Sequence, residues 1–475
     1  MKNIKIILIL IVIALFLAFP LVYTGFSVKE EQIRKPVFAG TWYPSEETEL
    51  NALIEEYLNN SEQLEINGKI KAIIVPHAGY VYSGQIAATA FKQLKENYKN
   101  VFLIGPSHRY PLEGISISNF KYYSTPLGKI KVSKKAREML NEKEISNIEK
   151  AHEQEHSLEI ELPFLQKSLK DFEIIPILVG KTDIDKFAEI LKKYYSKDDL
   201  ILVSVDLSHY HEYLEAIQID SNSLNKILTL NEQEILYSKI DAPWAVSSIL
   251  KIAKENSWKP YLISYANSGD ITGEKESVVG YSSIIFVEEF SEEEKEFLLN
   301  LAEKSAEKYL KKGEKIEISL KKVPENLRKE RGCFVTFKKD GKLRGCIGHI
   351  FARKPLYECV IENSINAAVN DIRFNPISYE ELKESSLEIS VLSSLELLEY
   401  ENSEELLNKL KAFEHGVVLK RGNFQSTYLP VVWKQIPDKV LFLNNLCLKA
   451  GIEKECWKDS KTEIYVYTAE NFSQE

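Results

Sequence analysis

A chain of 475 residues with 44% hydrophobic content has room for about three domains of ordinary size and ample apolar material for their cores. Its formal charge of −9, with acidic and basic residues mixed throughout, argues against nucleic acid as the main partner, because phosphate binding needs a basic face. Five cysteines without a CxxC pair argue against a disulfide framework or a zinc knuckle and predict reduced thiols.

At the N-terminus, Lys2 and Lys5 precede the uncharged run Ile6–Tyr23. Eighteen such residues are about enough to span a bilayer, and no clear small-x-small cleavage site follows. The expectation is an uncleaved, single-pass membrane anchor, with a cleaved signal or a buried helix as alternatives. Lys29, Arg34 and Lys35 follow the run, so flanking charge barely decides orientation. The very short leading tail favours the soluble part outside the cytoplasm, whereas free cysteines and a metal site would favour the cytosol.

Beyond a polar linker, Ser45 is a candidate N-cap for a helix whose apolar face is Leu50, Leu53, Ile54 and Leu58. From Ile70 to about Phe286 apolar runs alternate with helical patterns. The runs are Ala72–Val75, Val101–Ile104, Ile174–Val179, Leu200–Val205, Tyr261–Tyr265 and Ser282–Val287. Continuous apolar strands alternating with helices predict an α/β domain with a largely parallel sheet. The charge run EEFSEEEKE, Glu288–Glu296, marks a junction, and a helix is expected over Ser291–Leu310. The remainder reads as a smaller α+β domain, with hairpins turning at Asp340-Gly341 and Arg421-Gly422. The expected organisation is an anchor and linker over 1–33 and domains over 34–290 and 291–475.

Four apolar strands end in polar clusters. KAIIVPHAGYVYSG stops on Pro76 and delivers His77; VFLIGPSHRY delivers Ser107 and His108. LILVSVDLSHYH delivers Asp206, Ser208 and His209, and YLISYANSGD delivers Asn267, Ser268 and Asp270. In an open parallel sheet these ends share one edge, where ligands bind. Two histidines and a carboxylate suit a non-haem metal with open positions, so His77, His108 and Asp270 are the expected ligands. His209 is the candidate general base, and Asp206 the group that fixes a histidine tautomer. His152–His156, HEQEH, matches the H-E-x-x-H zinc-protease pattern with Glu153 as base, though the helical pattern there begins only near Ser157. His156 and Glu159 are alternatively polar support at the strand edge.

PVFAGTWYP, VPHAGYVYSG, IGPSHRY, TPLG, EHSLEIELPFLQ, DLSH and YANSGD followed by VVGYSS resemble, in order and over roughly 34–289, the Memo family, AmmeMemoRadiSam system protein B. The resemblance implies the fold of class III extradiol ring-cleaving dioxygenases and a non-haem iron site. It implies ligation by His77 and His108 and places His209 where those dioxygenases carry their base. Animal members have a cysteine as third ligand; YANSGD has none, which makes Asp270 the candidate and the site hard. Such a site favours iron(II) over copper, with zinc as a further option.

RGCFVTFKKDGKLRGCIG, NDIRFNPI, LEISVLSSLE and HGVVLKRGNFQSTYLPVVW are similar, over about 291–467, to the AMMECR family, AmmeMemoRadiSam system protein A. In LRGCIG, Gly345 and Gly348 permit close backbone approach. Cys346 is a candidate nucleophile or ligand with Arg344 lowering its pKa, or else a small buried hydrophobe. Cys333 is expected to face it across the hairpin, and Asp371 and Arg373 suit a cleft or an ordinary ion pair. Both families are typically encoded beside a radical SAM enzyme, and the absence of CxxxCxxC here assigns that chemistry to a partner. The expected function is thus a dioxygenase-like, mononuclear non-haem metal protein acting on a small molecule with a radical SAM partner. The alternatives are a non-catalytic metal-binding or scaffold module and an H-E-x-x-H protease.

Overall fold

The computed structural model describes residues 32–95 and 97–474. The chain divides into two compact units, the first running to Val287 except for Asn67–Lys69, which group with the second, Glu288–Glu475. The expected transmembrane helix and membrane location are corrected. Among the described residues no helix is long and apolar enough to cross a membrane. The 21-residue helix Glu292–Lys312 is amply long but rich in charge. Ile6–Tyr23, which carried the expectation and with it the export of the soluble part, lies outside the described residues.

The first unit is built on a nine-stranded sheet. At its centre lie Lys69–Val75, Asp199–Ser204, Asn100–Gly105 and Glu173–Val179, mutually parallel along that order. Their burial is almost complete from end to end. Strands covered by helices on both faces need no polar alternation, which is why they read as unbroken apolar runs. The register pairs Val75 with Ser204, Ile104 with Val203 and Gly105 with Leu178. The segments after Val75, Gly105 and Ser204 therefore leave the sheet at one edge.

The flanks are not parallel, so the sheet is mixed rather than largely parallel. Lys259–Asn267 runs antiparallel to Val278–Glu288, and Ile115–Ile117 antiparallel to Glu173–Val179. Only the short capped helix Ser268–Thr272 and a few residues join the first pair, and a parallel crossover needs a dozen or more. The helix Glu47–Asn59 starts one residue later than Ser45 as a cap requires, with Glu46 at the N-cap position, and buries Leu50 and Ile54.

The second unit is α+β, with two four-stranded sheets. The helix Glu292–Lys312 opens with a capping box between Ser291 and Glu294, the reason the charge run there starts a helix. Cys333–Lys339 and Lys342–His349 form the expected hairpin. Asp340 and Gly341 both take positive φ, +52° and +71°, as a type I′ turn demands.

The expectation of reduced thiols fails. Cys333 bonds Cys359 and Cys447 bonds Cys456, leaving Cys346 free. The first bridge ties the strand Cys333–Lys339 to the helix Leu356–Val369, a proximity created by packing and invisible in sequence spacing. Closing a separation of 26 residues is worth about 3 kcal/mol by loop entropy. Cys359→Ser is therefore expected to lower the melting temperature of the second unit by roughly 6–12 °C. Calorimetry checks this, and an unmoved transition would refute it.

Candidate functional site

Pro76 ends the buried strand Lys69–Val75, and His77 follows at the edge, 1% exposed. Its backbone N–H donates to Asp206 Oδ1 at 2.9 Å. Its ring Nδ1 lies 2.9 Å from Ser204 Oγ and its Nε2 2.9 Å from Asp241 Oδ2. His108 is held by Glu155, which accepts its backbone N–H at 2.6 Å and bonds its Nδ1 at 2.9 Å. The other ring nitrogen, Nε2, lies 3.4 Å from the same Asp241 oxygen. Asp241 Oδ2 thus sits between two imidazoles, and it is buried without a hydrogen bond of acceptable angle. Asp206 donates its N–H to Asp241 Oδ1 at 3.2 Å, which steadies the carboxylate.

His156 completes the cluster. Its ring lies 4.3 Å from that of His108, 5.3 Å from His77 and 4.5 Å from Trp42. Its Nδ1 is buried without a hydrogen bond. Ligand atoms of His77, His108 and His156 lie within 4.8 Å of one another, and so do those of His77, Asp206 and Asp241. Two overlapping donor sets therefore share His77.

The charges interact strongly. Burial opposes a proton on His77, but the carboxylates of Asp241, Asp206 and Glu161 overcome it and raise the pKa to about 10. His108 rises to about 9 for the same kind of reason, against burial and through Asp241 and Glu155. Burial and the neighbouring His77 hold His156 down to about 3. Burial pushes Glu161 up to about 8. Asp241 moves down despite burial, because His77 and His108 face it, and Asp206 moves up through burial.

The remaining predicted residues lie outside these two donor sets. Asp270, the expected third ligand, closes a capping box with Asn267 and accepts the Tyr213 hydroxyl at 2.6 Å. It is exposed and belongs to no donor set among the described residues. Asn267 Oδ1 caps that helix, Ser268 Oγ accepts Val279 N–H, and Ser107 Oγ donates to Tyr110 O within its own loop. His209 is half-buried, with Nδ1 3.0 Å from Leu207 O. A carbonyl can only accept, so Nδ1 carries the proton and Nε2 is left as the basic nitrogen. Glu159 lies away from the histidines, buried against Arg34, Tyr43 and the backbone of Val37 and Phe38.

The protease pattern dissolves. The helix Glu149–Glu153 ends before a second begins at His156, so His152 and His156 share no helix face. His152 is buried against Ser116 Oγ and Tyr123 Oη instead. Asp241, Glu155 and Glu161 escaped the sequence reading. Asp241 lies in a loop just before the helix Pro243–Glu255, at the end of no apolar strand.

In the second unit Cys346 pairs with Thr336 and Cys333 with His349 across the hairpin, so the two cysteines do not face each other. Arg344 binds Glu381 at 2.7 and 3.0 Å rather than attending the thiol. Burial raises the Cys346 pKa, the reverse of activation. Asp371 accepts the Cys346 N–H at 2.8 Å and pairs with Arg373. A Cβ on Gly345 would collide with Ala367 O, and one on Gly348 with the Phe334 ring, which is the close approach LRGCIG provides.

Fold and cluster together define a mixed α/β protein whose parallel strand ends carry a histidine–carboxylate centre, followed by a separate α+β domain. The Memo-like protein family matches residues 34–285 and the AMMECR1 family residues 299–472. A MEMO1 family protein of Aquifex aeolicus is 34% identical over 273 residues, covering 54% of this chain and 100% of the relative. Protein MK0488 of Methanopyrus kandleri is 40% identical over 197 residues, covering 40% of this chain and 92% of its own. Among solved structures, the uncharacterized protein PH0010 from Pyrococcus horikoshii is 38% identical, covering 39% of this chain and 94% of that one, with a TM-score of 0.37. The chain belongs to the Memo-like family and carries an AMMECR1 domain in tandem, the pairing of an AmmeMemoRadiSam-type protein.

Proposed function

We propose that the Memo-like unit is a mononuclear metal centre in which His77, His108 and Asp241 hold a divalent ion and His209 moves a proton. The observation that carries this reading is Asp241 Oδ2, buried and shared by two imidazole nitrogens at 2.9 and 3.4 Å. In the metal-free protein the protonated His77 and His108 supply the charge this oxygen needs, and a divalent ion held by the three groups would take over that role as the imidazole protons leave. Two imidazoles and a carboxylate are a hard, nitrogen–oxygen donor set, which favours iron(II), then zinc, over copper. Such an ion supplies Lewis acidity and open coordination positions.

The chain's own residues do the rest. Glu155 fixes the His108 ring through Nδ1, leaving Nε2 toward Asp241. Asp206 anchors both His77 and Asp241 through backbone N–H bonds. Trp42 and Phe38 pack on His156 and keep water from that flank. His209 Nε2, the nitrogen opposite the Leu207 bond, would accept a substrate proton. We further infer that a radical SAM enzyme acts on the same pathway, on the support of the two domains in one chain.

Metal analysis after anaerobic loading with iron(II) or zinc tests the centre. Stoichiometric metal is expected in the wild type and in Asp270→Asn. His77→Ala, His108→Ala and Asp241→Ala are expected to lose it. A wild type that takes up none, or an Asp241→Ala variant that keeps it, would sink the assignment. Uptake without turnover of any small molecule would favour the non-catalytic scaffold reading.

A further inference from the structure

Behind His77 lies a polar chain that no ligand contact explains. Ser204, on the buried strand Asp199–Ser204, has its Oγ 2.9 Å from His77 Nδ1 and 2.9 Å from Glu161 Oε1. Ser204 and Glu161 are both 0% exposed. Glu161 Oε2 makes no hydrogen bond, so Ser204 is the polar side chain that engages this carboxyl group.

A hydroxyl has one proton to give. Ser204 gives it to Glu161 Oε1, an acceptor in the ionised carboxylate and equally in the acid with its proton on Oε2, so the hydroxyl lone pair faces His77. The lone pair in turn accepts the Nδ1–H of His77. From this geometry we propose that Glu161 and Ser204 are positioning residues that keep the proton on His77 Nδ1 and so commit Nε2 to the site. The ring cannot turn over without breaking that bond inside a closely packed core. Metal-binding histidines are commonly oriented this way, by a group on the ring nitrogen away from the ion. Here the carboxylate acts through an intervening hydroxyl. The inference rests on His77 being a ligand as far as affinity is concerned, but the proton position stands apart from it.

Two measurements on the full chain separate the two claims. In 15N-histidine-labelled protein without metal, the His77 Nδ1–H signal, assigned by its absence in His77→Ala, is expected to be protected from exchange. Its protection should be lost in Ser204→Ala and kept in Ser204→Thr, which keeps the hydroxyl. Zinc affinity, measured by competition with a chromogenic chelator, is expected to fall roughly 10–100-fold in Ser204→Ala and to return toward wild type in Ser204→Thr. Glu161→Met, which leaves the hydroxyl free to donate to Nδ1, should also lose affinity with its melting temperature recorded alongside. An Nδ1–H signal absent from the wild type or unchanged in Ser204→Ala would overturn the inference. Equal zinc affinity in Ser204→Ala and wild type would overturn it too. If the signal behaves as expected while the wild type binds no zinc, the positioning stands and the metal centre falls.

Discussion

Glu159→Ala is expected to lower the melting temperature of the first unit by roughly 6–20 °C, the equivalent of about 3–5 kcal/mol. Glu159 is 0% exposed and pairs with Arg34, whose side chain is 1% exposed. It also accepts the N–H groups of Val37 and Phe38, at 2.9 and 2.8 Å, and the Tyr43 hydroxyl at 2.6 Å. Removing it leaves a buried guanidinium without its anion and three donors without an acceptor. Arg34 keeps bonds to the carbonyls of His152 and Glu155, but carbonyls do not neutralise a charge. The paired replacement Arg34→Met with Glu159→Leu should cost less than Glu159→Ala alone, because no unpaired charge remains. Calorimetry of the three variants decides it, and a shift within 2 °C for Glu159→Ala would refute the argument. The consequence reaches the site. Glu159 clamps the segment carrying Phe38 and Trp42, whose rings cover His156, so Glu159→Ala should also weaken metal uptake at temperatures where the fold survives.

Much of the site was legible because parallel strands deliver their ends to one edge. His77, His108 and Asp206 follow continuous apolar runs, and the register that aligns Val75 with Ser204 brings them together. Asp241 had no such signal. It precedes a helix, in a loop whose position depends on how Pro243–Glu255 packs, and packing is not written in periodicity. Asp270 lies apart from the cluster for a physical reason. Asn-Ser-Gly-Asp is a polar strand end and equally a helix start, and the backbone of Asn267 claimed the carboxylate for a capping box. Within the second unit, the turn at Asp340-Gly341 was readable from local chemistry alone. The disulfides were not, since Cys333 meets Cys359 only through strand-on-helix packing.

The HEQEH motif shows how a pattern can be real and its chemistry elsewhere, and it leads to a pH prediction. His152 is 1% exposed. Burial, with Arg34 assisting and a bond at Ser116 opposing, depresses its pKa from 6.5 to about 3. The unfolded chain therefore binds a proton between those values that the folded chain refuses. Stability from this group is full above pH 6.5 and is lost as pH falls from there toward 3. Between pH 7 and pH 4 the loss is roughly 3 kcal/mol at 1.36 kcal/mol per unit. Burial also holds His156 down to about 3, so the wild type should show a steep acid limb with two contributors. His152→Gln removes one of them. It should be less stable than wild type at pH 7, yet its urea midpoint should change less between pH 7 and pH 4. Parallel pH dependence in the two proteins would dispose of the argument. The distinction matters for any later assay: below pH 6.5 a fall in activity that His152→Gln softens comes from the fold, whereas one that survives the substitution belongs to the histidine–carboxylate centre.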